Sequence, residues 1–291
     1  MSRKGLIDRF PDMREHADKV LEKKRKESEI LYHFQKFDAP EVKRILPLSF
    51  SQLTDFAFRR EKWALRRIFG YNFPSNASSE RGKAVESGLN MWLNGIDYEE
   101  AITKMVSEYD ANCKLFDDPK IEDERKNLDP LFEEGVKRFK EFGFKWNLLG
   151  FQKKVEIDIQ GIPLVGYTDF HFEDKATKED FYIDLKTTAR KPNGISMSHA
   201  MQQSIYQKGT NANQKLWYLV CKKSGTEFHE LSLTNYSHPM KVCEQIICAM
   251  TNYLKSVDTL DDVKNTLVPN PDDWIWNDKA STEARKEVWG Y

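Results

Sequence analysis

Asp184-Leu185-Lys186 sets a carboxylate and an ammonium two positions apart within an apolar β-type run. In an extended strand alternate side chains share a face, so Asp184 and Lys186 point one way and Leu185 points into a core. A second β-type run, Ile162–Asp169, ends on another carboxylate, and a charged turn separates the two runs. If the runs pair, Asp169 lies beside Asp184 and Lys186. Two carboxylates and an ammonium at one edge of a sheet are costly unless a metal or a substrate compensates them. A hard divalent cation is one group that could compensate them. Such a cation prefers carboxylate, carbonyl and water oxygens, and lowers the pKa of a bound water.

The elements that would position these groups can be read from periodicity. Val155, Ile157 and Ile159 alternate with polar residues, and Gln160-Gly161 is a turn into the run ending at Asp169. Beyond Lys186 a loop through Pro192-Asn193-Gly194 leads to a helix over residues 196–208, in which Gln202 and Tyr206 share a face. Strands follow at Leu216–Cys221 and Phe228–Leu233, then a helix from Pro239 to Leu254. Upstream, Ser49 is a suitable N-cap and Gln52 stands where a capping box needs it. One amphipathic helix is expected from there to Ile68, with Arg59, Arg60, Lys62, Arg66 and Arg67 crowding it. That set suits either a phosphate or a plain cationic face. A second helix runs from Glu80 to Asn94 with Val85, Gly88, Leu89 and Trp92 buried and Glu86 at the border of that stripe. Residues 97–148 read as helical with a polar interruption at Asp117–Asp129. Residues 1–35 read as a charged, solvated helix containing Lys23-Lys24-Arg25-Lys26, and Pro269–Trp276 reads as an irregular tail with aromatic anchors.

The totals set bounds. At 291 residues the chain has room for one large domain or two small ones. Its 45 Lys+Arg against 46 Asp+Glu give no global nucleic-acid signal. Cys113, Cys221, Cys243 and Cys248 lack zinc-type spacing and suit a reduced compartment as core residues. No apolar signal core opens the sequence and no segment reaches a membrane-spanning length. A soluble, cytoplasmic protein is expected.

The order helix, helix, strands, Asp, Asp-x-Lys, helix resembles the PD-(D/E)xK nuclease superfamily, in particular its RecB-like and phage lambda-type exonuclease branches. The resemblance rests on SFSQLTDFAFRREKW (Ser49–Trp63), RGKAVESG (Arg81–Gly88), GYTDF (Gly166–Phe170), IDLKTT (Ile183–Thr188) and QQSIY (Gln202–Tyr206). It implies an α/β core, a central mixed β-sheet flanked by helices, with helical N-terminal additions. The corresponding division is a charged extension at 1–44, a nuclease domain at 45–260 and a packed tail at 261–291. It implies a Mg²⁺- or Mn²⁺-dependent deoxyribonuclease using one or two ions. Asp169, Asp184, the Leu185 carbonyl and Glu86 are the implied ligands. Lys186 is then the group that orients water and stabilises the transition state, or acts as a base if its pKa is depressed. Gln202 and Tyr206 line the site, and Ser49, Ser51 and Arg81 are candidates for a terminal phosphate. Arg59-Arg60-Glu61-Lys62-Trp63 departs from the Cys-Pro-x-x-Trp of many RecB-like enzymes, and Cys243 and Cys248 cannot complete an iron–sulfur set, so no cluster is expected. Glu86 matches the lambda-type pattern, and Thr168 replaces the proline before the first Asp.

An exonuclease of DNA recombination, repair or phage DNA processing is the leading expectation, in the host cytoplasm if phage-encoded. A nickase or other endonuclease, including a cluster-less CRISPR-adaptation type, is the enzymatic alternative. A catalytically inactive DNA-binding recombination protein is the alternative from another class. DNA is the implied partner. A single-strand annealing or other recombination protein, and a homo-oligomer, are compatible with the resemblance.

Overall fold

The computed structural model describes residues 11–40, 42, 44–142 and 145–291. They divide into two units: residues 11–71, Asp158–Leu164 and Glu244–Tyr291 belong to one, and Asn72–Ile157 with Val165–Cys243 to the other.

In the first unit the charged N-terminal segment is α1 (Pro11–Gln35). Residues 1–10 of the expected helix lie outside the described residues. Lys23 and Lys26 pair with Glu27 and Glu22 one turn away, as on a solvated helix. After β1 (Leu48–Ser49), Ser49 caps α2 (Phe50–Phe58), its hydroxyl accepting the Gln52 N–H at 3.3 Å. The reciprocal half of the expected capping box is not made. Gln52 is buried and its Nε2 donates instead to the Ile45 and Pro47 carbonyls, which would otherwise lack a partner. The single helix expected to Ile68 is broken at Arg59 (φ −150°, ψ 54°), and α3 (Arg60–Arg67) restarts beyond it.

The basic set of α2 and α3 is engaged locally. Arg59 and Arg66 flank Asp55 at 2.5 and 3.1 Å, Lys62 meets Asp278, Arg67 donates to the Arg44 carbonyl and Arg60 lies over the Phe56 ring. The C-terminal region is more regular than expected. It contains α10 (Leu260–Thr266), a 3₁₀ turn at Trp274–Trp276 and α11 (Lys279–Trp289). Trp276 is buried and donates to the Asn270 carbonyl, whereas Trp274 is exposed.

The second unit carries α4 (Ala77–Leu93), α5 (Tyr98–Cys113), α6 (Ile121–Arg125) and α7 (Leu128–Phe142) ahead of its sheet. Asn76 caps α4, so that helix begins before Glu80. The strands are β2 (Trp146–Ile159), β3 (Ile162–Asp174), β4 (Asp180–Thr188), β5 (Asn213–Lys222) and β6 (Gly225–Ser232), adjacent in that order. β3 and β4 are antiparallel, β4 and β5 parallel, β5 and β6 antiparallel, which makes the sheet mixed. The parallel step requires a crossover, and α8 (Met197–Thr210) supplies it. α9 (Ser237–Ser256) follows β6.

Strand alternation sorts the sheet's two faces. Phe170, Phe172, Ile183, Leu185, Trp217 and Leu219 join the core with Val85 and Leu89 of α4 and Phe132, Val136 and Phe139 of α7. Phe139 meets Phe170, Phe172 and Trp217 ring to ring at 5.4, 5.7 and 4.8 Å. Gly135 is required by the packing, because a Cβ there would come within 2.8 Å of Leu89. The other residues of the same strands, Asp169, Asp184 and Lys186, fall on the opposite face.

Of the cysteines, Cys113 and Cys243 are buried as expected of core residues, but Cys221 is half-buried and Cys248 exposed. Among the described residues no helix is long and apolar enough to cross a membrane.

Candidate active site

The antiparallel register pairs Phe170 with Ile183, and the regular ladder stops there. One step further, Asp169 and Asp184 face each other. The Asp169 carboxylate takes over from the lost ladder: its Oδ2 accepts the Leu185 N–H at 2.8 Å. Both carboxylates are buried, 7% and 2% exposed. Lys186 shares their face, with Nζ 2.7 Å from Asp184 Oδ2 and the side chain a quarter exposed. Apart from that ammonium, neither buried Asp184 oxygen has a hydrogen-bond partner among the described residues.

Glu86 arrives from α4, and the sequence around it explains how. Arg81 is buried; its guanidinium donates to Thr187 Oγ1 and to the Thr187 carbonyl and pairs with Glu124. Gly82 lets the helix close onto β4, since a Cβ would stand 3.3 Å from Thr187 Oγ1. Glu86 sits one turn beyond Gly82, within electrostatic reach of Asp169, Lys186 and Asp184.

α8 closes the face. Gln202 Nε2 donates to the Tyr206 hydroxyl at 3.2 Å, and that hydroxyl donates to the Tyr167 carbonyl at 2.7 Å. Tyr206 passes so close to β3 that a Cβ on Gly166 would lie 2.6 Å from its ring. Gly209 similarly admits Val155 and Ile157 of β2.

The electrostatics follow from burial. Desolvation, then Asp184, pushes the Asp169 carboxyl up to about 7 against the pull of Lys186 and the Leu185 N–H. Desolvation and Asp169 raise Glu86 well above the usual carboxylate range. Burial alone would lower the Lys186 pKa, but Asp184 and Asp169 outweigh it and raise it. The depressed lysine pKa that a base would need is therefore not what this cluster produces.

The residues fit a hard divalent cation. Asp184 Oδ1 is buried without a hydrogen-bond partner among the described residues, and burial, then the neighbouring negative charge, drives the Glu86 and Asp169 carboxyls up. Among the described residues no three His, Cys, Asp or Glu side chains form a ready-made cage. Mg²⁺ does not need one, since it is bound through one or two carboxylates and completed by water and substrate phosphate.

The structure thus brings Glu86, Asp169, Asp184, Lys186, Gln202 and Tyr206 together. Arg81 is near but its donors are spent on Thr187 and Glu124. Ser49 and Ser51 belong to the other unit, where their hydroxyls stand 2.9 Å apart and Ser49 caps α2. Sequence reading missed His199 and Tyr218, whose Nδ1 and hydroxyl are 2.6 Å apart. Tyr218 is the register partner of Lys186 on β5, and His199 shares a helical stripe with Gln202 and Tyr206 at i, i+3 and i+7. That spacing was a signal available in the sequence.

The sequence matches the PD-(D/E)XK nuclease superfamily over residues 47–259, and the chain belongs to that superfamily. No curated protein matches it. Among solved structures it is similar to a candidate exonuclease from Eubacterium rectale, with 14% identity, a TM-score of 0.49 and coverage of 79% of this chain and 91% of that one. It is also similar to the protein SSO0001, with 16% identity, a TM-score of 0.30 and coverage of 57% and 84%. Both likenesses are too remote to carry an argument.

Proposed function

We propose that the protein is a divalent-metal-dependent deoxyribonuclease, and an exonuclease in particular. The observation that carries this reading is the desolvated trio Glu86, Asp169 and Asp184 with the Lys186 ammonium beside it, in a chain of this superfamily. Such a group is costly unless a cation completes it. Asp169 and Asp184, with the Leu185 carbonyl and Glu86, would hold Mg²⁺ or Mn²⁺. When bound, the cation supplies Lewis acidity and a water of lowered pKa.

The protein's own groups do the rest. Lys186 keeps its proton and donates to a phosphoryl oxygen or to the attacking water. It thereby stabilises the negative charge that grows in the transition state. Asp184 fixes that ammonium, and the Leu185 N–H fixes the Asp169 carboxylate. Tyr206, anchored on the Tyr167 carbonyl, holds Gln202 where the DNA backbone would pass. The exonuclease assignment, and a place in recombination, repair or phage DNA processing, follow the lambda-type pattern of Arg81, Gly82 and Glu86.

Digestion of end-labelled linear single- and double-stranded DNA with Mg²⁺ tests the reading, alongside closed circular DNA. Stepwise loss of linear substrate is expected, abolished by chelation. Cutting of circles would transfer the assignment to an endonuclease. DNA binding without cleavage in Mg²⁺ or Mn²⁺ would favour a non-catalytic recombination protein.

A further inference from the structure

A cavity of about 440 Å³ opens beside Lys186, lined by Thr188, Arg190, Lys191, Ser196, His199 and Tyr218 among others. We propose that it is a phosphate subsite for DNA, seating a backbone phosphate next to the one being cut. The inference rests on the nuclease reading, because Lys186 is common to the site and the cavity.

The lining is cationic, and among the described residues no Asp or Glu contributes to it. Arg190 and Lys191 are exposed, and among the described residues neither side chain has a carboxylate partner. The loop that presents them is folded on itself: Thr188 Oγ1 accepts the Arg190 N–H at 3.1 Å and donates to the Arg190 carbonyl at 3.2 Å. That turn spends backbone groups and leaves the guanidinium free. The cations of α2 and α3 are engaged differently: Arg59 and Arg66 lean on Asp55, and Lys62 on Asp278. In a chain of net charge −1 an uncompensated pair beside a catalytic lysine is a local field, not a property of the whole surface.

The neutral lining also suits an anion. Ser196 caps α8, a helix whose first N–H groups add partial positive charge at that end. Burial and Lys186 lower the His199 pKa, so its imidazole is neutral. Its Nδ1 is 2.6 Å from the Tyr218 hydroxyl, and in the tautomer where that hydroxyl donates, the Nε2 position carries the proton and is a donor. Arginine, lysine, hydroxyl and imidazole N–H are the donor types that bind phosphate oxygens. The cavity has room for a phosphate with its sugar, since nucleotide-sized ligands fill pockets of roughly 300–1,000 Å³.

The test is DNA binding without divalent cation, followed by anisotropy of a labelled oligonucleotide across a salt series. Arg190→Ala/Lys191→Ala is compared with wild type and with Lys114→Ala/Lys120→Ala, which removes two exposed lysines of the same unit. The cavity variant should bind about tenfold more weakly at physiological salt, with its salt slope reduced by about 2. The control pair should bind as wild type does. Hydroxyl-ended and terminally phosphorylated oligonucleotides separate the two sources: loss with both marks an internal phosphodiester, loss with the second alone a terminal phosphate. Equal losses in the two variants, or none in the cavity variant, overturn the proposal. Failure of the nuclease reading looks different: wild type then does not cut in Mg²⁺, whatever the binding curves show.

Discussion

The Asp169 carboxylate accepts the backbone N–H of Leu185 at 2.8 Å, just where the β3–β4 ladder ends. A side chain on one strand thus replaces a main-chain acceptor that the other has lost. The bond leaves no buried Leu185 donor unpaired where the ladder ends. It also aims the carboxylate at the space shared by Asp184, Lys186 and Glu86. The geometry of the proposed metal site and the integrity of the sheet edge therefore depend on the same bond.

Lys186→Ala should reduce cleavage by about 10²–10³-fold, the usual cost of deleting one transition-state donor. Binding to DNA should change much less. Cleavage of end-labelled substrate in Mg²⁺, beside binding in chelator, checks this. Equal cleavage by the variant would refute the assigned site.

Asp169 makes stability depend on pH in a definite direction. Its carboxyl is ordinarily at 3.8 and is pushed up to about 7 here. The folded protein holds this proton more tightly than the unfolded chain does. Its contribution is therefore complete below about pH 4 and lost as the pH rises through about 7, at roughly 1.4 kcal/mol for each pH unit between those values. Denaturation in chelator should show wild type losing more stability than Asp169→Asn between about pH 5 and pH 8. Mg²⁺ should narrow the difference at the higher pH, because cation and proton compete for one carboxylate. Parallel curves for the two proteins would contradict the assignment.

Gly166→Ala should cost about 1–3 kcal/mol, the range for overpacking a filled site. The added Cβ would sit 2.6 Å from the Tyr206 ring and force it off the Tyr167 carbonyl. Tyr206→Phe loses that hydrogen bond and the longer one accepted from Gln202, whose half-buried amide can turn to water, and should cost about 1 kcal/mol. Chemical denaturation ranks the two, and the glycine variant should be the weaker.

Arg81→Ala should destabilise the fold by about 3–5 kcal/mol, because Glu124 would be left half-enclosed without its cation. A terminal-phosphate role predicts something else: a folded variant that no longer distinguishes phosphorylated from hydroxyl ends. Thermal unfolding and paired binding titrations separate these outcomes, and the first is expected.

Much of this protein could be read along the chain. Alternation placed Asp184 and Lys186 on one face and Leu185 in the core. The Gln160-Gly161 turn, with φ of 56° and 81°, is where polarity and glycine put it. The Ser49 cap and the α8 stripe are local too, since cap and period are set within a few neighbouring residues. The order of motifs was enough to mark the superfamily that the family match then showed.

What the sequence left open depended on partners distant in the chain. Gln52 was placed in a capping box and instead serves the Ile45 and Pro47 carbonyls. The tail after Pro269 lacked obvious periodicity, yet Asp273 and Asp278 cap a turn and a helix there. Arg81 and Arg190 are the same residue type. One is buried between Thr187 and Glu124, and the other stands free at a cavity mouth. Periodicity alone put Glu86 at the border of an amphipathic stripe and only the resemblance made it a ligand, whereas in the fold Gly82 lets that helix approach β4. Residue types and their spacing determine which side chains can carry charge and which way a strand turns them. Only the tertiary fold decides which charges lose their water together, because desolvation and Coulomb interaction act through space rather than along the chain.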